Sequence, residues 1–165
     1  MAERQGLVAR TPVGDLRWSA AILAAVVAAI HLFHPAYGAP QLIAFVRMGT
    51  LFHPLPALFT LSALIIVFGL VLAYQKLLPP VAYLLGAVLM MTFVVGYVAW
   101  HTVLDHGAFW PYLDGHAHTE GPVEQLVLHV SRDALGAASK VLETLLAVVL
   151  LTLYHLETSA GAETD

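Results

Sequence analysis

The run WSAAILAAVVAAIHLFH, residues 18–34, contains no Asp, Glu, Lys or Arg, and Pro35, Gly38 and Pro40 follow it at once. As a helix rising 1.5 Å per residue it covers roughly 25 Å, close to the ~30 Å hydrocarbon core of a bilayer. Its alanines suit close helix–helix approach in lipid. Three more apolar stretches follow, at about 54–74, 81–102 and 123–155. The chain therefore reads as an all-α integral membrane protein, a four-transmembrane-helix bundle.

Composition leads to the same class. The 165 residues are 59% hydrophobic and 11% charged, with a mean hydropathy of +0.80. A soluble domain carries roughly a quarter charged residues. So many apolar groups cannot be hidden inside a soluble globule of this size.

The parts between the spans are short. Residues 1–17 form a polar N-terminal tail and residues 156–165 an acidic C-terminal one, flanking a transmembrane domain over 18–155. The first apolar run ends in histidines with no Ala-x-Ala pattern, so it reads as a span rather than a cleaved signal. QLIAFVRMGT (41–50) is apolar but too short to cross a bilayer, and it carries Arg47; it reads as an interfacial or re-entrant segment between helices 1 and 2. The last stretch, read as one helix over 123–155, spans roughly 45–50 Å, longer than the hydrocarbon layer. Its first half holds Glu124, His129, Arg132, Asp133 and Lys140.

Four spans put both termini on one side. Arg4, Arg10, Arg17 and Lys76 then share a face, against Arg47 and Arg132 on the other, which predicts a multi-pass protein of the cell membrane with both termini cytoplasmic.

Several chemistries are excluded. With no cysteine there is no disulfide, thiolate metal site or cysteine nucleophile. No Lys/Arg cluster points to nucleic acid. No G-x-S-x-G, P-loop or G-x-G-x-x-G pattern is present.

Histidines carry the functional signal. LFHP occurs at 32–35, closing the first span, and again at 51–54, opening the second. Of nine histidines, eight fall at or beyond one end of the spans: His31, His34, His53, His101, His106, His116, His118 and His129; only His155 lies at the other. His31 lies about 9 Å below the outer boundary by helical rise, where an ionisable group is costly and defaults to a functional reading. His31 and His34 are i, i+3, and His101 and Asp105 are i, i+4, the spacing of helical metal sites. The expected site is a transition metal, copper or zinc, held by His31, His34, His101 and Asp105, with His53, His106 and His129 as secondary ligands. Haem b between His31 and His101 is the other form of this expectation. Met48, Met90 and Met91 do not make a copper(I) cluster.

A second polar group lies in the fourth helix. Asp133 and Lys140 are seven apart and Lys140 and Glu143 three apart, so they share a face; Glu143 lies about 16 Å inward from Tyr154. It reads either as an intrahelical Lys140–Glu143 pair with Lys140 snorkelling outward, or as a proton path or quinol-facing carboxylate beneath the histidines. The ranked functions are a redox or metal-dependent membrane protein, then an accessory subunit of a larger, respiratory-type membrane complex or a homo-oligomer, then a small transporter or proton-conducting bundle.

Overall fold

Five of the described helices carry a proline in their first two positions, where the missing amide N–H costs nothing and the fixed φ suits the helix. A computed structural model describes residues 12–49, 53–104 and 121–162. Among these described residues there are six helices: α1 (Pro12–Phe33), α2 (Ala39–Met48), α3 (Leu55–Tyr74), α4 (Pro80–Thr102), α5 (Pro122–Arg132) and α6 (Ala134–Ala162). Of these, α1, α3, α4 and α6 are long and apolar enough to cross a membrane. The protein is a multi-pass membrane protein built as a four-helix bundle.

Side chains sort as a bilayer requires. Ile22 on α1, Leu61, Ile65 and Phe68 on α3, Leu85 and Val95 on α4, and Val148 on α6 all face outward and are exposed. A helix apolar on every side is one surrounded by lipid and neighbours, not water. Inside, small residues let backbones approach: Ala20, Ala87 and Ala147 pack with Val27, Tyr83, Met90, Leu146 and Leu153. In sequence order of contact, α3 packs on α1, α1 on α6, and α6 on α4. α3 meets α4 through Phe59 and Phe93, ring centroids 5.3 Å apart, and His53, just before α3, lies 5.7 Å from Trp100 of α4.

The expected interfacial segment is the ten-residue α2, which packs on α3. The chain enters it by folding back over the end of α1. Gly38 makes that possible: its amide donates to the His34 carbonyl at 2.7 Å, and a Cβ there would stand 2.5 Å from the Leu32 carbonyl oxygen.

The stretch read as one helix over 123–155 is two. Asp133 leaves helical geometry (φ −112°, ψ 80°), and its Oδ1 accepts the Gly136 amide at 2.8 Å. Asp is a favoured N-cap because its carboxylate accepts an amide that the helix cannot satisfy itself. The cap starts α6 at Ala134 and sets α5 as a separate amphipathic helix packed on α4 and α6.

At the end that carries the chain termini, Arg17 donates from Nε and Nη2 to Glu157 Oε1, at 3.2 and 2.9 Å. This clasp joins the first turns of α1 to the last turns of α6, which run antiparallel.

Candidate functional site

Fourteen positions separate Arg17 from His31 on α1, and fourteen separate Glu143 from Glu157 on α6. That is about 21 Å, nearly four turns, on each helix. The register in which Arg17 meets Glu157 therefore also brings His31 against Glu143. Both side chains are fully buried, and His31 Nε2 lies 2.9 Å from Glu143 Oε1.

Three helices hold this pair. From α3, Ser62 Oγ lies 2.9 Å from His31 Nδ1 while donating its own proton to the Phe59 carbonyl at 2.8 Å. Ser62 has one proton, so in this arrangement His31 Nδ1–H donates to Ser62. From α6, Ser139 Oγ donates to Glu143 Oε1 at 2.7 Å. Lys140 Nζ donates to Oε1 at 2.7 Å and to Oε2 at 2.6 Å, and reaches the Phe93 carbonyl of α4 at 3.4 Å. Rings close the sides: Phe59 lies 4.7 Å and Phe93 4.5 Å from the His31 ring, centroid to centroid.

The arrangement fixes what protons can do. With Nδ1–H committed to Ser62, the contact between Nε2 and Oε1 must contain one proton, held either as an imidazolium–carboxylate pair or as an imidazole–carboxylic acid pair. Both carry the same charge. Loss of the Nδ1 proton leaves a neutral ring donating Nε2–H to the carboxylate, while the Ser62 hydroxyl turns from the Phe59 carbonyl to Nδ1. The site thus has two fully hydrogen-bonded states that differ by one proton and one hydroxyl rotation.

Below this layer, toward the termini, the interior is apolar for about three turns: Val27 and Ala28 of α1, Ala63 of α3, Ala87 and Met90 of α4, and Leu146 and Ala147 of α6 are all buried. Above it, toward the histidine end, the interior is ringed with polar aromatics.

The two LFHP histidines do the same local work. His34 Nδ1 accepts the amides of Ala36 and Tyr37, each at 3.2 Å, and His53 Nδ1 accepts the amide of Leu55 at 3.3 Å. In each case the proline between them has no N–H, and the imidazole takes the next amide along. Burial pushes the His53 ring below its ordinary pKa, in keeping with an Nδ1 that must stay unprotonated to accept. His34 is stacked on Tyr37 at 5.0 Å, and His53 lies 5.9 Å from the same ring.

His101 and His129 form another pair, ring centroids 4.6 Å apart. Each orients its ring by donating Nδ1–H to the carbonyl one turn back, His101 to Tyr97 and His129 to Gln125, both at 2.8 Å. His155 is exposed near the terminal end.

Of the expected metal ligands, then, His31 has both nitrogens bonded to protein, His34 and His53 serve the backbone through Nδ1, and His101 sits with His129. Asp105 and His106, like His116 and His118, lie outside the described residues. Among the described residues no three His, Asp or Glu side chains come together in a way that could hold a metal ion. Of the second group, Lys140 and Glu143 do pair as expected, but Lys140 turns inward, its Nζ 5.6 Å from the Phe93 and Tyr97 ring centroids, instead of snorkelling. Asp133 caps α6. Ser139 belongs to the polar group of the fourth helix noted in the sequence, whereas Ser62 was not singled out; the equal fourteen-residue spacing of Arg17/His31 and Glu143/Glu157 is the signal that finds the central contact.

The chain matches no protein family, no curated protein and no solved structure.

Proposed function

We propose that this is a small proton-coupled membrane protein of the transporter class, whose working centre is the His31–Glu143–Lys140 group. The observation that carries this reading is a histidine with no solvent exposure, bonded at one nitrogen to Ser62 and at the other to Glu143. A scaffold has no need of it. Replacing a buried ionic group by well-packed apolar residues is often neutral or stabilising, and ionisable groups at membrane depth are costly unless they act.

The group binds and releases one proton, with Ser62 rotating as it does so. Lys140 keeps Glu143 from carrying an uncompensated negative charge in the deprotonated state. Among the described residues, the charged or titratable groups that face this centre are Lys140 of α6, Tyr97 of α4 beside Lys140, His34 just past α1 and Asp133 just before α6; α3 contributes the hydroxyl of Ser62. The apolar turns toward the termini argue for a centre loaded from the histidine end rather than a pore open at both ends. With Arg4, Arg10, Arg17 and Lys76 on the cytoplasmic side, that loading side is the cell exterior.

The test is a titration of protein in lipid nanodiscs, following the His31 ring by NMR and the Glu143 carboxyl by infrared difference spectroscopy between about pH 4 and pH 9. One proton change shared by the two groups is expected, abolished in His31→Gln and in Glu143→Gln. If neither group changes protonation across that range, the reading fails.

A further inference from the structure

A helix lying on a protein in water turns its polar face outward and its apolar face inward. α5 does the reverse. Gln125 is only 4% exposed, and His129 is half-buried with its ring 4.6 Å from that of His101 on α4. Val123, Val127 and Val130, at i, i+4 and i+7, share one face of the same helix and are 76%, 61% and 42% exposed. Gln125 and His129 each follow one of these valines by two positions, about 200° around the helix, and so lie opposite them. The segments beside α5 are apolar outside as well: Val103 and Leu104 just past α4, and Leu135 and Val141 on α6, are exposed.

Two counts give the depth of α5. Glu143 lies about 21 Å from the level of the Arg17–Glu157 clasp, hence about 9 Å inside the far edge of a ~30 Å hydrocarbon layer. Asp133, ten positions back along α6, is about 15 Å farther, or about 6 Å past that edge. On α4, Phe93 touches His31, and His101 follows eight positions on, about 12 Å away and about 3 Å past the edge. α5 ends at Asp133 and holds His129 beside His101, so both counts bear on it. Headgroups occupy roughly 5–8 Å on each side of the hydrocarbon core. The helix therefore lies at headgroup depth, not in bulk water.

We infer that α5 is a membrane-docked helix, its Val123–Val127–Val130 face set into the boundary between phospholipid headgroups and acyl chains in the leaflet at the histidine end. Interfacial amphipathic helices seat an apolar face about 5–10 Å into that boundary. The inverted sidedness of α5 fits lipid on one side and protein on the other. Its valines continue the lipid-facing surface of α4 and α6, while Gln125 and His129 stay against the bundle. Lipid thus walls the histidine end on this side, whatever proton the central pair carries.

The chain has no cysteine, so a nitroxide on one introduced cysteine reports one position. The experiment places the full chain in phosphatidylcholine nanodiscs and measures nitroxide collisions with oxygen, which concentrates among acyl chains, and with a water-soluble nickel chelate. At Val123→Cys, Val127→Cys and Val130→Cys the oxygen-to-nickel ratio is expected to be several-fold higher than at Glu124→Cys and Ser131→Cys, which are exposed on another side of α5. It should remain below the ratio at Leu61→Cys on the lipid-facing surface of α3. A ratio at the valines no higher than at Glu124 and Ser131 puts that face in water and overturns the docking. Low collision rates with both reagents at the valines reveal a protein cover and overturn it equally; spin–spin broadening that vanishes on dilution with unlabelled chain identifies that cover as a second copy.

Discussion

His31 and Glu143, 112 positions apart in the chain, meet at 2.9 Å because α1 and α6 lie antiparallel in the register that also joins Arg17 to Glu157. The two contacts differ in everything except that register. One is at the water-exposed end, with Arg17 more than half exposed; the other is sealed among rings. The same two helices therefore carry a peripheral clasp and a central polar pair.

Removing one member of the central group should hurt far more than its size implies. Glu143→Ala leaves Lys140 and any proton on His31 buried without a counter-charge, and the expected loss is about 3–5 kcal/mol. The triple change of His31, Lys140 and Glu143 to Leu should recover most of it. Thermal unfolding in detergent distinguishes the two; a triple variant as unstable as Glu143→Ala would mean that packing, not charge, dominates the layer.

Arg17→Ala makes the contrasting case. An exposed ion pair contributes about 1 kcal/mol or less, so only a small drop in melting temperature is expected. Protonation at His31 should be unchanged, since the clasp lies about 21 Å away along the helices. A shifted titration in Arg17→Ala would show that the register itself depends on this pair.

His53 predicts a pH dependence. Burial lowers its pKa in the folded state, so between that value and the ordinary one near ~6.5 the unfolded chain binds a proton that the folded chain refuses. The stability of the α3 cap is present above the ordinary pKa and declines as pH falls through the folded one. Its full worth is about 1 kcal/mol, as for other helix caps. His53→Asn keeps a short polar acceptor but cannot titrate. Melting curves from pH 7.5 to 5.5 should fall more steeply in the wild type than in this variant, and parallel curves would count against the cap.

Chelation addresses the metal directly. His31 has both nitrogens hydrogen-bonded within the protein, so dialysis against EDTA should leave its ring resonances where they were. A shift on metal removal would make His31 a ligand after all and reverse the assignment of its Nε2.

Much of this architecture could be read from residues alone. Length and apolarity gave four spans, and the count of residues put His31, His34, His53, His101 and His129 at one end. Local signals suffice for those features because each depends on neighbours in sequence. The break at Asp133 was also local, an Asp before an apolar run with Gly136 three residues on, but continuous helical periodicity obscured it. The site was harder. Its central contact is between helices, and nothing within α1 says which residue of α6 lies opposite. Histidines near the same depth, such as His31 and His101, looked like natural partners, whereas the actual partner of His31 is a carboxylate on a helix that begins well beyond the end of α1. Only matched spacings on two helices report register, and the matched fourteens of Arg17/His31 and Glu143/Glu157 do so.

The three apolar turns between the central pair and the clasp have an electrical consequence. They place the pair about 21 Å from the terminal end of a ~30 Å hydrocarbon layer, roughly a third of the way in from the other. A proton reaching it from that end crosses about that fraction of the transmembrane voltage, worth on the order of 0.7 kcal/mol per 100 mV. That is about half a pH unit. Occupancy of the pair should therefore track membrane potential as well as external acidity, so a polarised cell and a depolarised one would load this protein differently at the same pH.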